Sequence, residues 1–80
     1  MFGTYNVDVR DGVESETVRT RLGEIQTDGL ICGWNESDGN FTLKMPYGNR
    51  RVVERMLSID VGFLTYNPLS DRYDTGTFMP

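Results

Sequence analysis

The fold is decided by residues 29–53, which read GLICGWNESDGNFTLKMPYGNRRVV. Short apolar runs alternate here with clusters of turn-forming residues. Asp38-Gly39 lies between two such runs, and an Asp-Gly pair in that position is a strong signal for a two-residue β-hairpin turn. Gly48-Asn49 indicates a second turn farther along. We therefore predict a double hairpin in this stretch.

The remaining turn signals extend this pattern to the whole chain. Asp-Gly pairs also occur at residues 11–12 and 28–29, so turns recur about every ten residues from residue 28 onward. Tyr5, Val7 and Val9 alternate with polar residues, which indicates a strand before the first Asp-Gly pair. Short strands at this spacing predict an all-β fold, namely a small five- to six-stranded barrel of the SH3 or Sm-like type.

Two segments fit both a strand and a helix. In residues 17–26, Val18, Leu22 and Ile25 have helical spacing, but the β-branched residues and the following Asp-Gly pair favour a strand. Residues 50–57 also have apolar side chains at helical spacing. The alternation that runs on from Leu57 to Phe63 instead predicts a strand at 50–54, a tight turn, and a last strand at 57–66.

Chain length bounds the stability of such a domain. The chain has 80 residues, one cysteine and no histidine. A domain of this size has a thin core, which disulfides, metals or self-association usually supplement. A single cysteine excludes an internal disulfide, and the lack of histidine argues against a zinc site. We therefore expect one domain over residues 1–80 that forms a homo-oligomer. Its turn-rich extension, residues 67–80, is expected to pack on the barrel or on a neighbouring subunit.

Composition also argues against catalysis and against a bound cofactor. Without histidine the commonest general base is missing. Cys32 lies in an apolar run and is predicted to be a buried structural thiol, while Trp34 is expected in the core or at an interface. The sequence has neither GxxxxGK[ST] nor GxGxxG, so no nucleotide cofactor is expected. No metal is expected either, since the chain lacks histidine. An enzyme is the third interpretation, behind two binding functions.

The sequence also bears on the cellular compartment. The N-terminal residues show no basic start followed by an apolar run, and no stretch approaches the ~20 apolar residues of a membrane helix. A lone cysteine is typical of a reducing compartment. We expect a cytoplasmic protein without membrane contacts.

The charge distribution is uneven. The net charge is −4, yet residues 44–55 contain four basic residues and one acid. Those four basic residues are Lys44, Arg50, Arg51 and Arg55. Tyr47 lies among them, and an aromatic ring beside guanidinium groups is typical of sites for single-stranded nucleic acid. From charge alone, ion pairs between these arginines and the chain's acids are the favoured alternative.

Residues 18–61 resemble the Sm-like superfamily, the small five-stranded barrels of Sm, LSm and Hfq proteins. The resemblance is carried by Val18, Leu22, Gly29 and Gly33, by Asp38-Gly39-Asn40-Phe41-Thr42-Leu43, and by Val53-Glu54-Arg55-Met56-Leu57-Ser58-Ile59. It implies a closed ring of subunits joined edge to edge through the last two strands. It also implies RNA contacts from the 38–41 loop and from the turn at Arg55, both facing the pore.

Two functional hypotheses follow. The first is a non-enzymatic, ring-forming module that binds single-stranded RNA or DNA, with RNA favoured. Its expected site residues are Asp38, Asn40, Phe41, Lys44, Tyr47, Arg50, Arg51 and Arg55, with basic side chains on phosphates and Tyr47 or Phe41 stacking on bases. The second is a structural or protein-interaction module, an assembly component or inhibitor, that binds a protein partner through the barrel and the C-terminal extension. Its support is the acidic total charge and the aromatic residues of that extension.

Overall fold

The computed structural model describes residues 1–68. Four strands and two helices follow one another as β1 (Phe2–Val9), α1 (Ser15–Thr27), β2 (Gly33–Ser37), β3 (Asn40–Pro46), α2 (Arg50–Asp60) and β4 (Gly62–Tyr66). A single 3-10 turn, Tyr47–Asn49, leads from β3 into α2. The prediction that the extension packs on the domain concerns mainly residues 69–80, which lie outside the described residues.

The four strands form one open antiparallel sheet in the order β2-β3-β1-β4. Each helix connects two strands that run in the same direction and are separated by one other strand. This β-α-β-β-α-β connectivity is the split β-α-β topology of ferredoxin-like folds. The predicted closed barrel of five or six strands, and the ring built from it, are therefore wrong. The chain is a two-layer α/β domain in which helices cover one face of the sheet.

Of the predicted double hairpin, the first hairpin is confirmed and the second is wrong, because Gly48-Asn49 lies in the 3-10 turn that leads into α2. Ser37 pairs with Asn40, and the two residues between them, Asp38 and Gly39, have φ of 52° and 80°. Positive φ at both central positions is the requirement of a type I′ turn, which an Asp-Gly sequence meets at low steric cost. β1 is confirmed as well, with Tyr5 and Val7 buried on the face that the helices cover.

The prediction of a strand over residues 17–26 is wrong, because this segment lies in α1. Val18, Leu22 and Ile25 are fully buried and share one side of the helix. The β-branched residues carry only a weak preference for strands, and the burial of this apolar side against the sheet overrides it.

The prediction of strands at 50–54 and 57–66 is also wrong over most of its length. Residues 50–60 form α2, and only residues 62–66 form a strand. Val53 and Leu57 are fully buried, whereas Ile59 is 72% exposed. In a strand Leu57 and Ile59 would share one face, but in a helix they lie on different sides. The alternating apolar residues Leu57, Ile59 and Phe63 therefore do not belong to one strand, because the first two lie in α2 and only Phe63 lies in β4.

The core lies between the sheet and the two helices. The sheet contributes buried residues from three strands and the helices contribute five more: Tyr5, Val7, Phe41, Leu43, Met45 and Leu64 face Val18, Leu22, Ile25, Val53 and Leu57. Trp34 is partly buried against this cluster, as expected. Cys32 is exposed, so the prediction of a buried thiol is wrong. It follows buried Ile31 just before β2, and alternation along an extended chain turns it outward.

Candidate functional site

The outer side of α2 carries exposed apolar residues. Val52 is 50% exposed and Ile59 is 72% exposed, while Met56 is partly buried against the core. These residues have i, i+4 and i+7 spacing, so they form one line along the helix. We call Val52, Met56 and Ile59 the apolar stripe. Exposed apolar side chains in a contiguous line commonly mark a contact surface.

A basic groove lies between α2 and β4. It has a volume of about 370 Å³ and is lined by Arg51, Glu54, Arg55, Ser58 and Phe63. The Phe63 ring is 51% exposed. Arg10, which follows β1, places its guanidinium carbon 5.4 Å from the centre of that ring and donates a hydrogen bond to the Ser58 carbonyl oxygen. The groove thus combines two arginines with one exposed aromatic ring, and Arg10 lies beside that ring.

The positive charge of this groove is not offset by local ion pairs. Its single acid, Glu54, accepts a hydrogen bond from the Leu64 N–H at 2.9 Å and lies 4.0 Å from the Arg50 Nε. None of the ion pairs formed within residues 1–68 includes Arg10, Arg51 or Arg55. The Arg51 and Arg55 guanidinium groups therefore remain available for an external carboxylate or phosphate, whereas Arg10 is held by the Ser58 carbonyl and the Phe63 ring.

An acidic groove lies on the opposite side of α2, where the end of this helix meets α1. Its volume is about 420 Å³, and it is lined by Glu14, Glu16, Thr17, Thr20, Arg21, Glu24 and Asp60. Arg21 bridges Asp60 at 2.7 Å and Glu24 at 3.2 Å. The hydrogen bond from Arg21 holds the pKa of Asp60 below its ordinary value. Glu14 and Glu16 take no part in the ion pairs within residues 1–68, so the groove stays acidic.

Helix geometry fixes the order of these features across the surface. At about 100° per residue, a path around α2 from the β4 side meets Glu54, Ser58, Arg51, Arg55, Ile59, Val52, Met56 and finally Asp60. Both ends of this path are anchored by contacts, because Glu54 bonds to Leu64 of β4 and Asp60 bonds to Arg21 of α1. The apolar stripe therefore separates the basic groove from the acidic groove.

The structure brings together two of the eight predicted site residues, Arg51 and Arg55. Arg50 lies elsewhere, with its guanidinium carbon 5.7 Å from the centre of the Tyr5 ring. Tyr47 contacts Tyr66, with ring centres 5.9 Å apart and hydroxyl oxygens 3.1 Å apart.

The other four predicted residues lie on or beside the sheet. Asp38 and Asn40 are exposed at the β2–β3 turn, and neither lines the basic groove. Phe41 is 2% exposed, so its ring lies in the core and offers no surface to a base. Lys44 lies between buried Leu43 and Met45 on β3, which turns it to the sheet face away from the helices.

Sequence reasoning missed the apolar stripe, Arg10 and Phe63. The helical spacing of residues 52 and 56 is visible in the sequence. These residues form one exposed line with Ile59 only if the segment is a helix, which the sequence did not predict. Arg10 and Phe63 are brought to α2 by the pairing of β1 with β4. Residues 1–68 contain no cluster of three side chains suited to hold a metal ion, and neither helix there is long and apolar enough to cross a membrane.

No known protein family, curated protein or solved structure matches this chain. Function is therefore inferred from the chemistry of this surface.

Proposed function

We propose that this chain is a non-enzymatic protein-interaction module whose contact surface is the outer side of α2 together with the basic groove. One observation carries the proposal: Val52, Ile59 and Phe63 are each half exposed or more, and they lie beside arginines without local ion pairs. Protein interfaces combine an apolar centre with arginine, methionine and aromatic residues in this way.

The charge of the surface defines the partner. An apolar ridge that packs on the stripe needs acidic residues on the side that meets the arginines, since guanidinium groups bind carboxylates through paired hydrogen bonds. The partner surface is therefore a protein element with apolar side chains flanked by Asp or Glu.

Single-stranded nucleic acid is the second candidate, and Phe63 favours it. Its half-exposed ring beside Arg10 has the form of a stacking platform with phosphate-binding groups. Two features favour the protein partner instead. Four-stranded sheets that bind RNA present aromatic rings in the middle of the central strands. Here the outer face of β1 and β3 carries Asn6, Thr42 and Lys44 in its middle, and its exposed ring, Phe2, lies at the start of β1. The exposed Val52 and Ile59 are apolar, so they make no favourable contact with a charged phosphate backbone.

The two candidates are separated by titrating ¹⁵N-labelled protein with defined probes. The first is a helical peptide with a leucine stripe flanked by glutamates, the second is the same peptide with lysines, and the third is oligouridine. We expect the glutamate peptide to shift the amide signals of α2 and β4, with weaker or no effect from the other two. Tighter binding of oligouridine than of the glutamate peptide would contradict the proposal and favour nucleic acid.

A pair of variants with the same net charge controls this experiment. Arg51→Ala/Arg55→Ala removes two positive charges from the surface, and Asn35→Asp/Ser37→Asp adds two negative charges at exposed positions of β2. We expect only the arginine variant to lose at least about tenfold in affinity, because a tenfold loss needs only ~1.4 kcal/mol. Equal losses in both variants would show a non-specific charge effect and would contradict the assignment of the site.

A further inference from the structure

We propose that the basic groove binds a phosphorylated aromatic side chain, a phosphotyrosine, of the protein partner. This inference rests on the proposed function, since it names the group of that partner which enters the groove. The groove supplies two arginines for the phosphate and one ring for the aromatic part.

The two arginines determine the charge of the ligand. Arg51 and Arg55 both line the groove, and they lie one turn apart on α2, with a rise of about 6 Å between their Cα atoms. Neither takes part in an ion pair within residues 1–68. One guanidinium group satisfies a carboxylate, whereas a phosphate monoester carries about −1.5 to −2 charges and three acceptor oxygens. A single phosphate group therefore has acceptors for both arginines, which a single carboxylate lacks.

Phe63 determines the group that carries the phosphate. Its ring lines the same groove as the arginines and is 51% exposed. Arg10 contacts this ring but is not among the residues that line the groove, so the ring presents a different side to the ligand. Aromatic rings pair favourably in stacked or edge-to-face arrangements. A phenyl ring on Phe63 with its phosphate on the arginines uses both features of the groove.

The acid and the size of the groove fit this ligand as well. Glu54 is held at the sheet side of the groove, where it accepts the Leu64 N–H and lies 4.0 Å from the Arg50 Nε. The volume of about 370 Å³ is close to the lower limit of ligand sites, so the groove suits one side chain better than a chain of nucleotides.

Three small probes test the groove separately from the apolar stripe. Phenyl phosphate has both the ring and the phosphate, inorganic phosphate lacks the ring, and phenylacetate carries the ring with a carboxylate. Each is titrated into the ¹⁵N-labelled full chain. We expect phenyl phosphate to shift the amide signals of Arg51, Arg55 and Phe63 and to bind at least about tenfold more tightly than either of the other two.

Variants assign the two halves of the ligand. Phe63→Leu keeps an apolar side chain without the ring, so it should lower the affinity for phenyl phosphate and leave that for inorganic phosphate unchanged. Arg51→Ala/Arg55→Ala should lower both affinities, whereas the charge-matched Asn35→Asp/Ser37→Asp variant should retain them. Circular dichroism identifies any variant that fails to fold, and the comparison of the three probes on the wild type decides the proposal in that case.

A fourth probe distinguishes a protein side chain from a free aryl phosphate. It is the helical glutamate peptide with phosphotyrosine in place of one glutamate. We expect this peptide to bind at least about tenfold more tightly than phenyl phosphate and to shift Val52 and Ile59 in addition to the groove. Equal affinity for the two would overturn the phosphotyrosine in favour of a small aryl phosphate.

Three further results would contradict the proposal. Phenylacetate that binds as tightly as phenyl phosphate would exclude a phosphate site, and inorganic phosphate that does so would exclude an aromatic ligand. Tighter binding of oligouridine than of the phosphotyrosine peptide would favour nucleic acid. If phenyl phosphate leaves the groove unchanged while the glutamate peptide still shifts α2, the interaction surface stands and only the phosphotyrosine is wrong.

Discussion

At the scale of single residues, Glu54 links the sheet to the proposed surface. Its carboxylate accepts the Leu64 N–H, which points out of the sheet at the edge strand β4. An edge strand with free N–H groups is prone to pair with other strands, and a side chain or helix that covers the edge prevents this. Glu54 thereby occupies a donor of this edge strand that would otherwise be open to another strand.

This role predicts different effects for two substitutions at Glu54. Glu54→Ala leaves the Leu64 N–H without its acceptor and should lower the free energy of unfolding by about 1–2 kcal/mol. Glu54→Gln retains an acceptor oxygen and should cost less. Denaturant unfolding measures the free energies, and hydrogen exchange at the Leu64 amide measures the local effect. Equal losses for both variants would show that the hydrogen bond is not the cause.

Two glycines should respond to alanine in opposite directions. A Cβ at Gly62 would lie 1.9 Å from the Asp8 carbonyl oxygen of the neighbouring strand. Gly62→Ala should therefore cost about 1–3 kcal/mol through overpacking. A Cβ at Gly23 in α1 meets no atom within 4 Å, so Gly23→Ala should raise stability by about 0.5–1 kcal/mol through helix propensity. Thermal unfolding of both variants checks the pair, and a loss in each would contradict the packing described.

At the scale of secondary-structure elements, Arg21 and Asp60 join the two helices. Arg21 lies in the middle of α1, and Asp60 is the last residue of α2. Their side chains form two hydrogen bonds, at 2.7 and 3.3 Å. This pair holds the end of α2 beside α1 and so sets the position of the apolar stripe relative to the acidic groove.

The Arg21–Asp60 pair predicts a specific response to acid. Because Arg21 lowers the pKa of Asp60 in the folded state, the stabilisation is fully present above the unfolded pKa of this carboxyl. It is lost as the pH falls from the ordinary carboxyl range through the lowered folded value. The stability difference between the wild type and Asp60→Asn should therefore shrink over that range. Urea unfolding from pH 7 to pH 3 measures it.

The control for this response is Asp11→Asn, since Asp11 lies outside the ion pairs within residues 1–68. Its difference from the wild type should change less with pH. A difference for Asp60→Asn that stays constant down to pH 3 would contradict the lowered pKa.

At the scale of the whole molecule, the sequence predicts local structure better than topology. The β2–β3 hairpin and β1 follow from signals within a few residues, namely Asp38-Gly39 and the alternation of Tyr5, Val7 and Val9. The two helices carry conflicting local signals, and packing of their apolar sides against the sheet decides between them. The strand order depends on β1 pairing with both β3 and β4, which lie far along the chain, and no local pattern records that choice.

The candidate site likewise has one part that the sequence predicts and another part that depends on the strand pairing. Arg51 and Arg55 are visible as a local cluster of basic residues, so the sequence alone identifies them. Arg10 and Phe63 join them only through the pairing of β1 with β4. The exposed position of Ile59 depends on the helix in which it lies. Surfaces assembled from distant segments require the topology, which explains why most of this site was not predicted.

The outer side of α2 is the proposed contact surface of this protein. Its most direct test is a titration of the ¹⁵N-labelled wild type with the helical peptide that carries leucines flanked by glutamates, followed by the amide signals of each residue. We predict shifts at Val52, Arg55 and Ile59, with constant signals at Asn35 and Ser37 of β2. Shifts confined to β2 or to the sheet face away from the helices, with α2 unchanged, would contradict this assignment.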